Sequence, residues 1–115
     1  MASPLVSLLL IGICCLALID QSAAECCNSW EEVTYKMDRG ECEDVGGSGY
    51  NPHRCEITIC ADGVKQVGTY CGQASCNIFG CNCDGGCLRG DWTQSFVQKN
   101  KDYGIEILDV VRIPI

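Results

Sequence analysis

Ten cysteines, Cys26, Cys27, Cys42, Cys55, Cys60, Cys71, Cys76, Cys81, Cys83 and Cys87, fall within 62 consecutive residues. Thiols this dense have two chemistries open to them. They oxidise in pairs to disulfides, or as thiolates they hold zinc. Cys76, Cys81, Cys83 and Cys87 are close enough for a four-thiolate site, but C-x4-C-x-C-x3-C is not a usual zinc spacing. The number is even and the cluster follows a hydrophobic leader, so the pattern predicts a disulfide framework in an oxidising compartment, with no metal and no cofactor. Adjacent Cys26 and Cys27 cannot readily close on each other across a trans peptide, so they are expected to anchor the N-terminus to two separate places. Which cysteine meets which stays open, since ten allow roughly 945 arrangements.

Other chemistry is thin. The one histidine, His53, follows Pro52 in a polar stretch. A hydrolase could use it as a base, but no G-x-S-x-G nucleophile accompanies it. The scattered acids select no general acid/base pair, and Gly46 to Gly49 lacks the Lys and helix of a phosphate loop. The chain is therefore read as a non-enzyme. Arg89-Gly90-Asp91 is the tripeptide that integrins recognise when it stands at an exposed loop tip. Asp91 is read here as a helix N-cap, which would turn its carboxylate inward. Arg54 or Arg89 could serve as the specificity residue of a protease inhibitor, though neither flank looks substrate-like.

These residues need a compartment and a scaffold. Leu8 to Ile19 is an apolar run, and Ser22 and Ala24 are small residues at the −3 and −1 positions before Glu25. Residues 1–24 are read as a signal peptide that is removed, taking Cys14 and Cys15 with it. Asp20 and Gln21 interrupt the run too early for a membrane anchor. The remaining 91 residues suit one domain, and loss of Asp20 moves the formal charge from −7 to −6. An acidic chain without a Lys/Arg cluster is a poor ligand for nucleic acid or an anionic membrane surface.

After the leader the chain holds seven Val and seven Ile but only two Leu and two Ala, a composition that favours strands. Trp30 to Met37 alternates, with Val33, Tyr35 and Met37 on one side, and predicts a strand. Glu41 to Pro52 is acidic and then glycine-rich, and is expected to be an exposed mobile loop. Ile57 and Ile59, the Ala61-Asp62-Gly63 turn and the run Val64 to Tyr70 predict a hairpin, with Cys60 opposite Val64 and Ile57 opposite Val67. Ile57, Ile59 and Val67 are assigned to its core face with Cys55 and Cys71, while Cys60 points the other way. Residues 71–90 are read as an irregular Cys/Gly-rich subdomain, with room for a short helical turn over Ser75 to Phe79. Asp91 as N-cap and an apolar stripe of Trp92, Phe96, Val97 and Tyr103 predict a helix over 92–103, stopped by Gly104. Ile105 to Ile113 is apolar on both faces and reads as a central strand, ended by Pro114.

Several stretches carry a resemblance. Lys36-Met37-Asp38-Arg39-Gly40-Glu41-Cys42, Thr58 to Val64, Tyr70-Cys71-Gly72-Gln73, Ser75 to Cys87 and Gly90-Asp91-Trp92 are similar to the Diedel family of small secreted immune-modulating proteins of flies, with relatives in insect DNA viruses. The resemblance runs over the whole mature chain and keeps all ten cysteines. It implies a small disulfide-rich α+β fold, an antiparallel sheet covered by one helix with a second cysteine-rich subdomain stapled to it. It also implies a secreted, cytokine-like protein circulating in the haemolymph that takes part in innate immunity and the antiviral response; a monomer is expected. Such a protein would restrain immune-deficiency signalling by binding an extracellular or cell-surface host protein. No catalytic or receptor-contact residues transfer. The alternative reading is a binding inhibitor of a protease or an integrin.

Overall fold

The computed structural model describes residues 25–114. The signal-peptide reading of residues 1–24 lies outside the described residues. Strand β1 (Trp30–Met37) has the bounds its alternation predicts, with Val33, Tyr35 and Met37 buried. It lies at the centre of the fold because both of its edges are paired. Strand β3 (Arg54–Ile59) joins one edge and strand β4 (Ile105–Ile113) the other, both antiparallel. Strand β2 (Ser48–Asn51) adds to the far side of β3, giving the order β2-β3-β1-β4.

One face of this sheet is dry. Cys55, Ile57 and Ile59 of β3 join Val33, Tyr35 and Met37 of β1, and helix α1 (Thr93–Lys99) closes over them with the fully buried Phe96. The Tyr35 and Phe96 rings meet edge to face, with centroids 5.0 Å apart, an arrangement that suits their quadrupoles. The fold is thus α+β and disulfide-rich, an antiparallel sheet covered by one helix.

The acidic, glycine-rich stretch is more ordered than its composition suggests. Cys42–Val45 forms a 3-10 helix, closed at its start by a capping box in which Asp44 Oδ2 accepts the Glu41 amide at 2.9 Å, and β2 follows directly. A bridge from Cys42 to Cys55 pins this turn to the sheet. Gly47 is required by close approach, since a Cβ there would overlap the Tyr35 hydroxyl.

The hairpin begins as predicted and then departs. Cys60 donates its amide to Val64, and Gln66 donates to Thr58. Beyond Gln66 the second run leaves the sheet, so Val67 is 88 % exposed instead of sharing the core face. Cys71 turns back to bond Cys60, so these two cysteines tie to each other and not to opposite sides of a sheet.

Two expectations at the C-terminal end need correction. The helix is split: α1 ends where the Asn100 side chain donates to the Phe96 carbonyl, and a separate 3-10 turn covers Lys101–Tyr103 before Gly104. Strand β4 is an edge strand, paired only with β1 among the described residues. Its apolar residues fall on both parities for a different reason. Met37 and Tyr35 face Ile105 and Ile107, the ladder then skips Leu108, and Val33 and Glu31 face Val110 and Arg112. The bulge at Leu108 switches the phase of the strand, which mimics burial of both faces.

Candidate binding surface

The irregular segment after Cys71 is held by sulfur and backbone together. Cys26 joins Cys81, Cys27 joins Cys87 and Cys76 joins Cys83, while Cys60–Cys71 ties the segment to the end of β3. The neighbours Cys26 and Cys27 therefore reach two separate points. Between the bridges, Cys27 donates to the Gly80 carbonyl at 2.7 Å, Cys71 to Cys27, Leu88 to Cys71, Gln73 to Gly86 and Asp84 to Ser75. Cys76, Cys81, Cys83 and Cys87 are divided among three bridges, and among the described residues no group of His, Cys, Asp or Glu is placed to hold a metal ion.

Midway along this segment the chain makes a tight turn over residues 77–81 in place of the short helical turn. The Asn77 Oδ1 accepts the amides of Phe79 at 3.0 Å and Cys81 at 2.9 Å, the side-chain turn that asparagine favours over helix. The Asn77 amide donates to the Cys81 carbonyl, and the Gly80 amide donates to the Asn77 carbonyl. The Tyr70 hydroxyl donates to the Ile78 carbonyl at 2.5 Å. Gly80 has φ +79°, and a Cβ there would strike the Tyr70 ring. Every brace holds the backbone, and the side chains of Ile78 and Phe79 are left 82 % and 71 % exposed.

A second cluster, at the meeting of β1, β4 and α1, was not singled out in the sequence. Glu31 is only 6 % exposed. Its Oε1 accepts the Thr93 hydroxyl at 2.8 Å and the Thr93 amide at 3.2 Å, and so caps α1 from across the fold. Its Oε2 accepts two bonds from the Arg112 guanidinium, the shorter at 2.9 Å. Arg112 in turn lies 4.2 Å over the Trp92 ring, a cation–π contact. Trp92 carries φ +58°, rare for a bulky residue, and is held there by this contact and by its amide bond to Ala61. A charge at an inward position of the β1 alternation was the available signal. The cluster is a structural joint in which both Glu31 oxygens are taken by its own members.

Asp91 is not the N-cap. That position falls to Trp92, no side chain of the segment caps the helix, and the Asp91 amide instead donates to Ser95 Oγ at 2.7 Å. The Asp91 carboxylate is exposed with no partner among the described residues. Arg89 is exposed as well, 3.8 Å from Glu25 Oε2. Gly90, however, lies against the Ala61–Asp62 backbone, so the tripeptide runs along the body and does not stand at a protruding tip. His53 sits in the turn before β3, its amide bonded to Asn51 Oδ1, and Arg54 is exposed at the start of that strand. Neither is gathered with other reactive groups. No helix among the described residues is long and apolar enough to cross a membrane.

Comparison with known proteins agrees with this construction. The pattern of the Diedel family matches residues 26–101. The Protein Diedel of Drosophila melanogaster is 63% identical over 114 residues, which is 99% of each chain. The crystal structure of the CG11501 protein, in space group P212121, superposes with a TM-score of 0.74 at 63% identity, covering 78% of this chain and 97% of that one.

Proposed function

Because the chain belongs to the Diedel family, we propose that it is a secreted, cytokine-like immunomodulator that acts by binding a host protein at the cell surface or in the haemolymph and restrains immune-deficiency signalling during infection. The observation that carries this reading is the end-to-end identity of 63% with a Diedel protein. The chemistry of the chain supports it. Its ten cysteines among the described residues are used in cross-links, and a cross-linked exterior is ordered before it meets a partner, which lowers the entropic cost of association. Its acidic balance turns it away from nucleic acid and anionic lipid. The ten bridged cysteines, Cys26 to Cys87, are assigned a scaffold role, and a monomer is proposed as the acting form.

The test is direct. Folded, oxidised protein is added to cultured fly cells stimulated with bacterial peptidoglycan, and transcripts of antimicrobial peptides driven by the immune-deficiency branch are counted. The expected result is a dose-dependent fall that reduced, alkylated protein does not produce. Transcripts that stay level over the full dose range reject the proposal.

A further inference from the structure

The geometry points to the Ile78–Phe79 turn as the contact by which this protein docks into an apolar pocket of a protein partner, an inference that rests on the reading of the chain as a binding protein. Single exposed apolar residues are ordinary on a protein surface. Ile78 and Phe79 are not an ordinary case, because they are adjacent, more than two-thirds exposed, and mounted on the most heavily braced turn of the segment. Asn77 Oδ1 takes two amides, Tyr70 holds the Ile78 carbonyl, Cys27 holds the Gly80 carbonyl, and the bridges Cys76–Cys83 and Cys26–Cys81 flank the turn on both sides. None of these braces uses the Ile78 or Phe79 side chain, so the fold needs the backbone shape and leaves the two side chains free. A rigid aromatic and a β-branched residue presented this way lose little freedom on docking, and such anchors carry most of the energy of an interface.

The surroundings extend the contact and select its partner. Val64, Val67, Tyr70 and Leu88 line a trough shared with Cys76 at the base of the turn, with Asp62 and Lys65 also on its wall. Tyr70 belongs to both features, since its hydroxyl braces Ile78. A membrane is the other occupant such a tip could enter. Apolar loops that insert into lipid carry Lys or Arg beside them to meet the headgroups. The stretch from Ser75 to Cys87 contains no basic residue and does contain Asp84, and the one cation of the trough, Lys65, is offset there by Asp62, on a chain of net charge −7. The charge pattern therefore favours a protein pocket over an anionic lipid surface.

The experiment uses the oxidised chain labelled with a fluorophore at its N-terminus, titrated onto cultured fly haemocytes, with the double variant I78S/F79S beside it. The expected result is saturable binding by the wild type, displaced by unlabelled wild type and abolished by protease treatment of the cells. The double variant should bind at least about tenfold more weakly while its near-UV circular dichroism and disulfide map stay native. The single variants I78S and F79S and the brace variant Y70F, each expected to lose a few-fold, carry the test if the double variant misfolds. Wild-type binding that the variants match, with native spectra, removes the turn from the contact and leaves the binding reading standing. Absence of any saturable wild-type site removes the binding reading itself. Equal binding to protein-free phosphatidylcholine vesicles, lost in the variants, overturns the protein pocket in favour of lipid.

Discussion

Tyr35 shows how one side chain links the core to its cover. It is fully buried, meets Phe96 edge to face, and donates its hydroxyl to the Cys42 carbonyl at 3.3 Å. Burial, and secondly the Glu43 carboxylate, push its phenol up to about 12 from the usual 10.0. The native state therefore holds this proton more tightly than the unfolded chain does. Its contribution is complete below the unfolded value of 10.0 and is lost as pH rises through about 12. Stability should fall over that window by up to roughly 2–3 kcal/mol, and Tyr35→Phe should lack this decline while being less stable at neutral pH by roughly 1 kcal/mol through loss of the hydrogen bond. Urea unfolding of both proteins at neutral and alkaline pH checks this. Parallel alkaline declines would place the titration elsewhere.

Helix α1 has seven residues, too few to stand alone. Two things hold it: Phe96 in the core below, and the Glu31 carboxylate at its first turn. The second depends on strand β4, because only the phase switch at Leu108 brings Arg112 onto the same face as Glu31. Regular alternation through β4 would send Arg112 to the open face and Asp109 toward the helix. Glu31→Ala removes the cap and leaves Arg112 without its anion, at an expected cost of about 2–4 kcal/mol. Glu31→Gln, which keeps the Thr93 bonds, should cost about 1–2 kcal/mol. Arg112→Ala, which leaves the buried Glu31 carboxylate with only its Thr93 bonds and removes the contact over Trp92, should cost about 1–3 kcal/mol, the half-exposed guanidinium keeping it from the full cost of a buried pair. Denaturant midpoints of the disulfide-intact variants measure this order. A Glu31→Ala protein as stable as the wild type would show the joint to be energetically idle.

For the molecule as a whole, sulfur replaces the large core that a segment as short as residues 25–114 does not build. Cys26–Cys81 and Cys27–Cys87 span 55 and 60 residues of sequence; whichever closes first restricts the unfolded chain by about 4 kcal/mol, and the second, whose ends are then already close, adds about 2–3 kcal/mol. Two such terms approach the net stability of an ordinary domain, roughly 5–15 kcal/mol. Both join the residues before β1 to the segment after Cys71, so without them that segment keeps only backbone bonds and two short bridges. Full reduction at neutral pH is expected to abolish the near-UV dichroism of Trp30 and Trp92 and to make the chain sensitive to protease. A reduced sample that keeps its native near-UV spectrum would show that packing alone holds the fold.

Sequence patterns determine only what is local. Period-two alternation was enough to bound β1 and to select Val33, Tyr35, Met37, Ile57 and Ile59 as core, and the spacing of Trp92, Phe96 and Val97 was enough to place a helix near its true position. Family membership was legible as well, through the cysteines and the residues between them. The tertiary structure decided everything that depends on which distant segments meet. It paired the ten sulfurs, moved β4 from the centre to the edge, put Glu31 in place of Asp91 at the head of the helix, and turned Ile78 and Phe79 outward. The physical reason is the same in each case. Alternation says which side of a strand a residue takes, but a one-residue bulge reverses that side, and contacts between segments far apart in sequence leave no trace in the local pattern.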